Sequence, residues 1–288
     1  KRKVVSGVNN IRSLELHFGE NYPTSRFGPG SSSAGTELFS TLGEKVVCGT
    51  STGRHKYMSD WWSQRGDFGD VSIVPGDYLC FVPKKVKVAR AVLPAPSMNM
   101  RSQLSVGDYL KERLKAVVGI NLRNQMRNRS LAKLGSLTDS YCTVDLSSAS
   151  DTISYSIVMS LLPKPWFDFL DSIRSHRFFD PIDKKWKEYA KFSAMGNGFT
   201  FELETAIFYS LVEATIFCHN NSVPINQREI AVYGDDMIFP KEYYHVVCQS
   251  LVGCGFSVNL EKSFSSGPFR ESCGGDYFNG FLVTPYKL

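Results

Sequence analysis

Tyr233-Gly234-Asp235-Asp236 sets two carboxylates side by side between two apolar runs, Ile230-Ala231-Val232 and Met237-Ile238-Phe239-Pro240. An apolar β-ribbon ordinarily turns through Asn-Gly or Asp-Gly and keeps like charges apart. Adjacent Asp side chains repel unless a cation lies between them, so the pattern suits a divalent metal site. A solvated surface turn fits the bare tetrapeptide as well. Asp145 is the second acidic candidate. It follows the short apolar run Tyr141-Cys142-Thr143-Val144 and precedes Leu146-Ser147-Ser148-Ala149-Ser150-Asp151. A carboxylate where a strand ends can hold a metal at a sheet edge, although Asp145 or Asp151 also reads as a helix cap. Ninety residues separate Asp145 from Asp235, enough for the two to meet on neighbouring strands. The third candidate is Ser193-Ala194-Met195-Gly196-Asn197-Gly198-Phe199-Thr200, a polar Gly-rich loop opening a long helix. Its glycines permit close approach of a ligand, and a helix start favours anionic or hydroxyl groups. A plain helix-entry loop is the alternative.

The elements that must position these groups follow from periodicity and breakers. Val86–Leu93 reads as extended, Ser102–Val118 as a helix with a Leu104, Tyr109, Leu110, Leu114 stripe, and Tyr141–Val144 as a strand. Ser150–Leu162 is expected to be one helix stopping at Pro163, followed by a helix over Trp166–Ser175. Thr200–His219 is a long helix with Leu203, Ile207, Leu211 and Ala214 on one side. A hairpin around Gly234 and a helix near Glu242–Val252, ending at Gly253 or Gly255, complete the series. Residues 1–80 are rich in Gly, Ser and Pro, loosest at Arg26-Phe27-Gly28-Pro29-Gly30-Ser31-Ser32-Ser33, and read as long loops on a modest scaffold. No internal repeat is found.

Bulk properties narrow the class. At 288 residues and 42% hydrophobic content the chain can bury a core in one or two subdomains. No apolar run is long enough to span a bilayer, and no secretory signal opens the sequence. The seven scattered cysteines include no C-x-x-C pair, and read as reduced, mostly buried thiols of a cytosolic protein. Walker-type, H-E-x-x-H and G-x-S-x-G motifs are absent. Lys1 stands where a Met would begin a nascent chain, so a fragment or processed product is expected. Charge is unevenly placed: Lys84 to Lys133 carries +10 and the remainder −5. A basic block beside acidic elements suits a polyanion held near a carboxylate-bound metal, and a solvated helix face with snorkelling lysines is the simpler reading.

The order of these elements resembles the palm of viral RNA-dependent RNA polymerases, and more closely the replicase catalytic subunit of the single-stranded RNA phages, the leviviruses. The segments that carry the resemblance are Val82-Pro83-Lys84-Lys85 with Arg90, Asp145 through Ser154, Leu161-Leu162-Pro163, Met195 through Glu204, Tyr233-Gly234-Asp235-Asp236, and Gly267-Pro268-Phe269-Arg270-Glu271-Ser272-Cys273-Gly274. It covers the chain well from about residue 80 onward and only loosely before that.

The resemblance implies an α+β right-hand polymerase with an antiparallel palm sheet and packed helices. Partial fingers would occupy 1–139, with a nucleotide- and template-binding segment at 82–133, and the palm 140–288, without a thumb. It implies Asp145, Asp235 and Asp236 as catalytic ligands of two Mg²⁺ ions, or Mn²⁺. Lys84, Lys85 and Arg90 would neutralise an incoming rNTP, with Asp151, Gly196 and Asn197 at its sugar. Lys262 would protonate pyrophosphate, Lys241 being the other basic residue downstream. Phe269, Arg270, Glu271 and Ser272 would grip the product end. RNA template and product are the implied partners, with the host factors EF-Tu and EF-Ts, in the cytoplasm of an infected bacterium. Two departures stand out: Glu204 occupies a place where many viral polymerases carry Asn, and the chain ends just past the grip segment. A reverse transcriptase, which usually carries a bulkier residue where Gly234 stands, and a non-catalytic RNA-binding protein are the alternatives.

Overall fold

The arrangement is built outward from one short strand. In this computed structural model, residues 26–55, 71–85 and 87–285 are described, Lys85 by its backbone only. The N-terminal third carries small elements: β1 (Ser32–Ser33), β2 (Leu38–Phe39), α1 (Leu42–Val47), β3 (Thr50–Ser51), β4 (Ser72–Ile73) and β5 (Asp77–Tyr78). The antiparallel ribbon β6 (Cys80–Lys85) and β7 (Val88–Val92) follows, largely exposed. Helices α2 (Ser97–Val118) and α3 (Met126–Thr138) lead to β8 (Tyr141–Val144). Then come α4 (Ala149–Thr152), α5 (Tyr155–Leu161), α6 (Lys164–Ile173), and the hairpin β9 (Arg177–Asp180) and β10 (Lys185–Glu188). The chain continues through α7 (Thr200–His219), β11 (Ala231–Tyr233), β12 (Asp236–Pro240), α8 (Tyr244–Gly253), β13 (Phe269–Ser272), β14 (Gly275–Phe278) and β15 (Phe281–Leu282).

β8 is buried from Cys142 to Val144 and lies between two partners. β12 pairs with it antiparallel, Met237 opposite Val144 and Pro240 opposite Tyr141, and β11 completes that sheet. On its other edge Thr143 exchanges backbone hydrogen bonds with Phe264, at 2.9 and 2.8 Å. The apolar faces of β8, β11 and β12 pack with α7, α6 and α8 into one core containing Val144, Trp166, Phe169, Leu203, Phe208, Val232, Phe239 and Leu251.

Helix α7 buries Leu203, Ile207, Phe208, Val212 and Ile216. At about 2 kcal/mol each, their burial contributes roughly 10 kcal/mol before entropy is subtracted. That surplus lets the same helix keep Glu202 and Glu204 nearly buried, at a cost of a few kcal/mol.

The expected single helix over 150–162 is corrected to two short ones, α4 and α5. Fully buried Ile153 gives its carbonyl to Phe192 N–H (2.9 Å) instead of continuing the helix ladder. Ser154 then starts α5 by accepting from Ile157 N–H. The β9–β10 hairpin was not anticipated. The loose segment at Gly28–Gly30 is held by Lys45, whose ammonium donates to the Gly28 carbonyl (2.8 Å) and to that of Gly30.

A polar seam joins the N-terminal third to α2. His55 is buried, with Nδ1 facing Ser51 Oγ (3.1 Å) and Nε2 facing Ser102 Oγ (3.0 Å). Burial pushes its ring down to about 4. A histidine depressed in the fold takes up protons on unfolding between about 4 and its ordinary 6.5, so its stabilising contribution is present above 6.5 and is lost as pH falls toward 4. Denaturant titrations across that range should show the wild type losing roughly 3 kcal/mol relative to His55→Gln. Parallel curves for the two proteins would show that His55 does not titrate this way.

Candidate active site

Asp145 directly follows β8, and Asp235 follows Gly234 in the two-residue turn between Tyr233 and Asp236, which pair across the hairpin. The β8–β12 register therefore brings Asp145 to the open end of that turn. Gly234 is required there. Its φ is +64°, and an added Cβ would come within 2.5 Å of the Phe201 ring and 3.1 Å of Glu204 Oε1. Gly234 N–H donates to Thr205 Oγ1 (3.0 Å), so α7 holds the turn from beneath. Thr205 lies one residue beyond the Met195–Glu204 segment, and Phe201 within that segment was given no role by the sequence.

The electrostatics follow from this crowding. Burial and then the charge of Asp145 raise the Asp235 carboxyl, while Lys262 and Lys84 pull it back. Burial, Asp235 and then Asp145 push Asp236 up to about 7. Burial pushes Glu204 up to about 8, with Asp235 and Glu202 adding to it. Behind burial, the charges of Asp145 and Asp235 act on their acidic neighbours, a repulsion of the kind a cation relieves.

Asp145, Asp235 and Asp236 are the expected ligand set. Among the described residues no group of three or more His, Cys, Asp or Glu side chains forms a ready-made metal cage. One Asp236 oxygen accepts from Cys273 N–H at 3.1 Å and is thereby tied to the β13–β14 turn. Asp145 and Asp235 suit a hard divalent ion that takes one or two carboxylates and keeps water and substrate oxygens for its other positions.

The basic groups divide. Lys262 Nζ lies 3.4 Å from Asp145 Oδ2. Burial works against its charge, but Asp145 and Glu271 outweigh that and hold the ammonium above the ordinary lysine range. Lys241 pairs with Asp139 beyond Pro240, at the opposite end of β12. Lys84 and Arg90 are exposed on the β6–β7 ribbon, and Lys84 is near enough to act on Asp235; the Lys85 side chain lies outside the described residues. The +10 block is not one polyanion-facing surface. Lys111 pairs with Asp108 (3.2 Å) and Glu202 (3.3 Å), Arg123 with Glu112 (2.8 Å), and Arg127 and Arg129 donate to backbone carbonyls.

At the Gly-rich loop, Gly196 adopts φ +108°, and an added Cβ would strike the Leu93 backbone at 2.6 Å. The close approach made there is to the chain itself, with Leu93 N–H donating to the Met195 carbonyl (2.8 Å). Asn197 Oδ1 accepts from Phe199 N–H (3.0 Å) at the start of α7. Asp151 is exposed and pairs with Lys191, a residue the sequence reading missed because forty positions separate them.

The grip segment also needs correction. Arg270 is wholly buried, donating to the carbonyls of Tyr141 (2.6 Å), Gly267 (2.8 Å) and Phe269 (2.6 Å) and to Asp139 Oδ1 (2.8 Å). Ser272 is 1% exposed. Arg270 is therefore a brace between β13 and β8, and Phe269 and Glu271 are the half-exposed members of the strand.

Comparison with known proteins agrees with this architecture. The family model described as RNA replicase, beta-chain, matches residues 8–288. The chain is 45% identical over 216 residues to the RNA-directed RNA polymerase beta chain of Enterobacteria phage fr, covering 75% of this chain and 38% of that protein. It is 41% identical over 216 residues to the RNA-directed RNA polymerase subunit beta of Escherichia virus Qbeta, covering 75% and 36%. It thus spans less than two-fifths of the length of either relative. Among solved structures, the RNA-dependent RNA polymerase of a human picobirnavirus aligns with a TM-score of 0.52 at 16% identity, over 73% of this chain and 45% of that one. The BmCPV RNA-dependent RNA polymerase at elongation state aligns with a TM-score of 0.55 at 10% identity, over 96% and 29%. The fold is that of an α+β viral polymerase, and the chain belongs to the RNA replicase beta-chain family.

Proposed function

We propose that this chain forms the fingers and palm of an RNA-directed RNA polymerase that extends RNA from rNTPs on an RNA template during replication of a phage genome. The observation that carries this reading is the β8–β12 pairing, which sets Asp145 beside the Gly234–Asp235 turn in a member of the replicase family. Two Mg²⁺ ions, or Mn²⁺, held by Asp145 and Asp235 would stabilise charge on the attacking 3′-oxygen and the departing pyrophosphate.

The chain's own groups divide the remaining work. Lys84 and Arg90, exposed on the ribbon, neutralise the triphosphate together with Lys85. Lys262, kept protonated by Asp145 and Glu271, is placed to give its proton to pyrophosphate. Asn197 has its side-chain oxygen engaged by Phe199 N–H, so its amide NH₂ is the group it offers to a ribose hydroxyl. Asp151, oriented by Lys191, accepts from the same sugar. Phe269 and Glu271 present the half-exposed face of β13 to the product end.

RNA template, RNA product and rNTPs are the partners of this reading. EF-Tu and EF-Ts are host partners it extends to, and the cytoplasm of the infected bacterium is the site of action. Among the described residues no helix is long and apolar enough to cross a membrane.

Primer extension by the replicase carrying Asp235→Ala should lose Mg²⁺-dependent incorporation by about three orders of magnitude, with template affinity kept within about twofold. Retained incorporation removes Asp235 from the site, and salt-sensitive binding without synthesis in the wild type favours a binding-only protein. Asp151→Ala with Asn197→Ala should lower the preference for rNTP over dNTP by about tenfold or more, read as a ratio of kcat/KM. An unchanged ratio places sugar selection elsewhere, and a wild type that prefers dNTPs is a reverse transcriptase.

A further inference from the structure

Of three consecutive residues of α3, two address the carboxylate hairpin and the third addresses the turn between β13 and β14. Arg127 Nη2 donates to the Ile230 carbonyl (2.7 Å), just before β11. Asn128 Nδ2 reaches the Asp236 carbonyl at 3.4 Å. Arg129 donates through both Nε (3.2 Å) and Nη2 (2.9 Å) to the Cys273 carbonyl. Gln125, one turn earlier, accepts from the same Nη2 through Oε1 at 3.3 Å.

Cys273 is the residue that makes this arrangement consequential. Its φ is +50° and that of Gly274 is +68°, the two central positions of the tight turn joining β13 to β14. Gly274 adopts such a conformation freely, whereas a cysteine there is strained and needs its surroundings to hold it. The two guanidinium donors on its carbonyl supply that hold. The N–H of the same residue donates to Asp236 Oδ2. One side of Cys273 is therefore gripped by Arg129 and the other by an acidic group beside Asp235.

We propose that Arg129 is a positioning residue that locks the Cys273 turn against Asp236, so that seating of the hairpin formed by β13 and β14 is coupled to the orientation of the carboxylate pair. The assignment rests on the polymerase reading above. It differs from what the +10 block suggests, which is that Arg129 contacts RNA phosphate. A carbonyl gripped by two nitrogens of one guanidinium needs the planar fork of Arg, which a Lys ammonium reproduces only in part.

The test compares Arg129→Met, Arg129→Lys and Asp235→Ala in the whole replicase, alongside the wild type. Amide hydrogen exchange of the peptide spanning 269–278 should quicken about tenfold in Arg129→Met and less in Arg129→Lys, with melting temperatures of all four proteins close together. At saturating RNA and rNTP, kcat should fall about tenfold in Arg129→Met and recover partly in Arg129→Lys, with the KM for RNA unchanged. A raised RNA KM with wild-type kcat and exchange would make Arg129 a phosphate contact and overturn the proposal. Wild-type exchange and kcat in Arg129→Met, with Asp235→Ala inactive, would overturn it while leaving the polymerase reading in place. Activity in Asp235→Ala would instead remove the reading on which it rests. If Arg129→Met fails to fold, Arg129→Lys should still show faster exchange and a lower kcat at smaller amplitude, and wild-type values for both would overturn the proposal.

Discussion

Carboxylates cannot be crowded into a partly buried space unless something offsets their repulsion, and most of this chain's arrangement around Asp145 and Asp235 is a response to that constraint. Burial lifts Asp235, Asp236 and Glu204 together, and the charge of Asp235 adds to the rise of the other two. The fold answers with single, directed contacts. Lys262 faces Asp145, Lys84 acts on Asp235 from the ribbon, Cys273 N–H takes one oxygen of Asp236, and Lys191 pairs with exposed Asp151. None of these contacts neutralises the Asp145–Asp235 pair outright. On the proposed function, that residual repulsion is what a divalent ion would relieve.

Rigidity behind the pair comes from backbone rather than from charge. β8 is hydrogen-bonded on both edges, by β12 and by the segment around Phe264, so Asp145 leaves a strand that cannot shift sideways. The hairpin that carries Asp235 is held from below by Thr205 and packed against Phe201, with glycine the only residue that fits the turn. Arg270, whose guanidinium is fully buried, directs its donors to the carbonyls of Tyr141, Ser266, Gly267 and Phe269 and to Asp139, joining β13 to the start of β8. An arginine that reads as a product contact in the sequence is in the fold a structural brace.

That contrast shows where sequence reasoning reached and where it stopped. The strand Tyr141–Val144 and the helix Thr200–His219 have the bounds their patterns indicate, because both are set by local periodicity. The family was legible differently, through the resemblance carried by Asp145, the Gly-rich loop and Gly234-Asp235-Asp236 in that order. What escaped are the roles decided by a distant backbone carbonyl or an unmarked salt-bridge partner. Arg129 finds its carbonyl 144 residues away, Arg270 its own 129 away, and Lys191 its carboxylate 40 away. Charge can be counted from a sequence, but the carbonyl that satisfies a guanidinium has no residue type to betray it. The break at Ile153 escaped likewise, since it depends on a single hydrogen bond from Phe192.

The most direct test of the central claim is Mn²⁺ binding, followed by electron paramagnetic resonance in the absence of nucleotide, for the wild type, Asp145→Asn, Asp235→Asn and the double variant. If Asp145 and Asp235 share the ion, each single variant weakens binding by about tenfold or more, and the double variant loses less than the sum of the two free-energy changes, because the ligands act as one unit. Affinity unchanged in either single variant, or two losses that simply add, would mean that the two carboxylates do not hold a common cation.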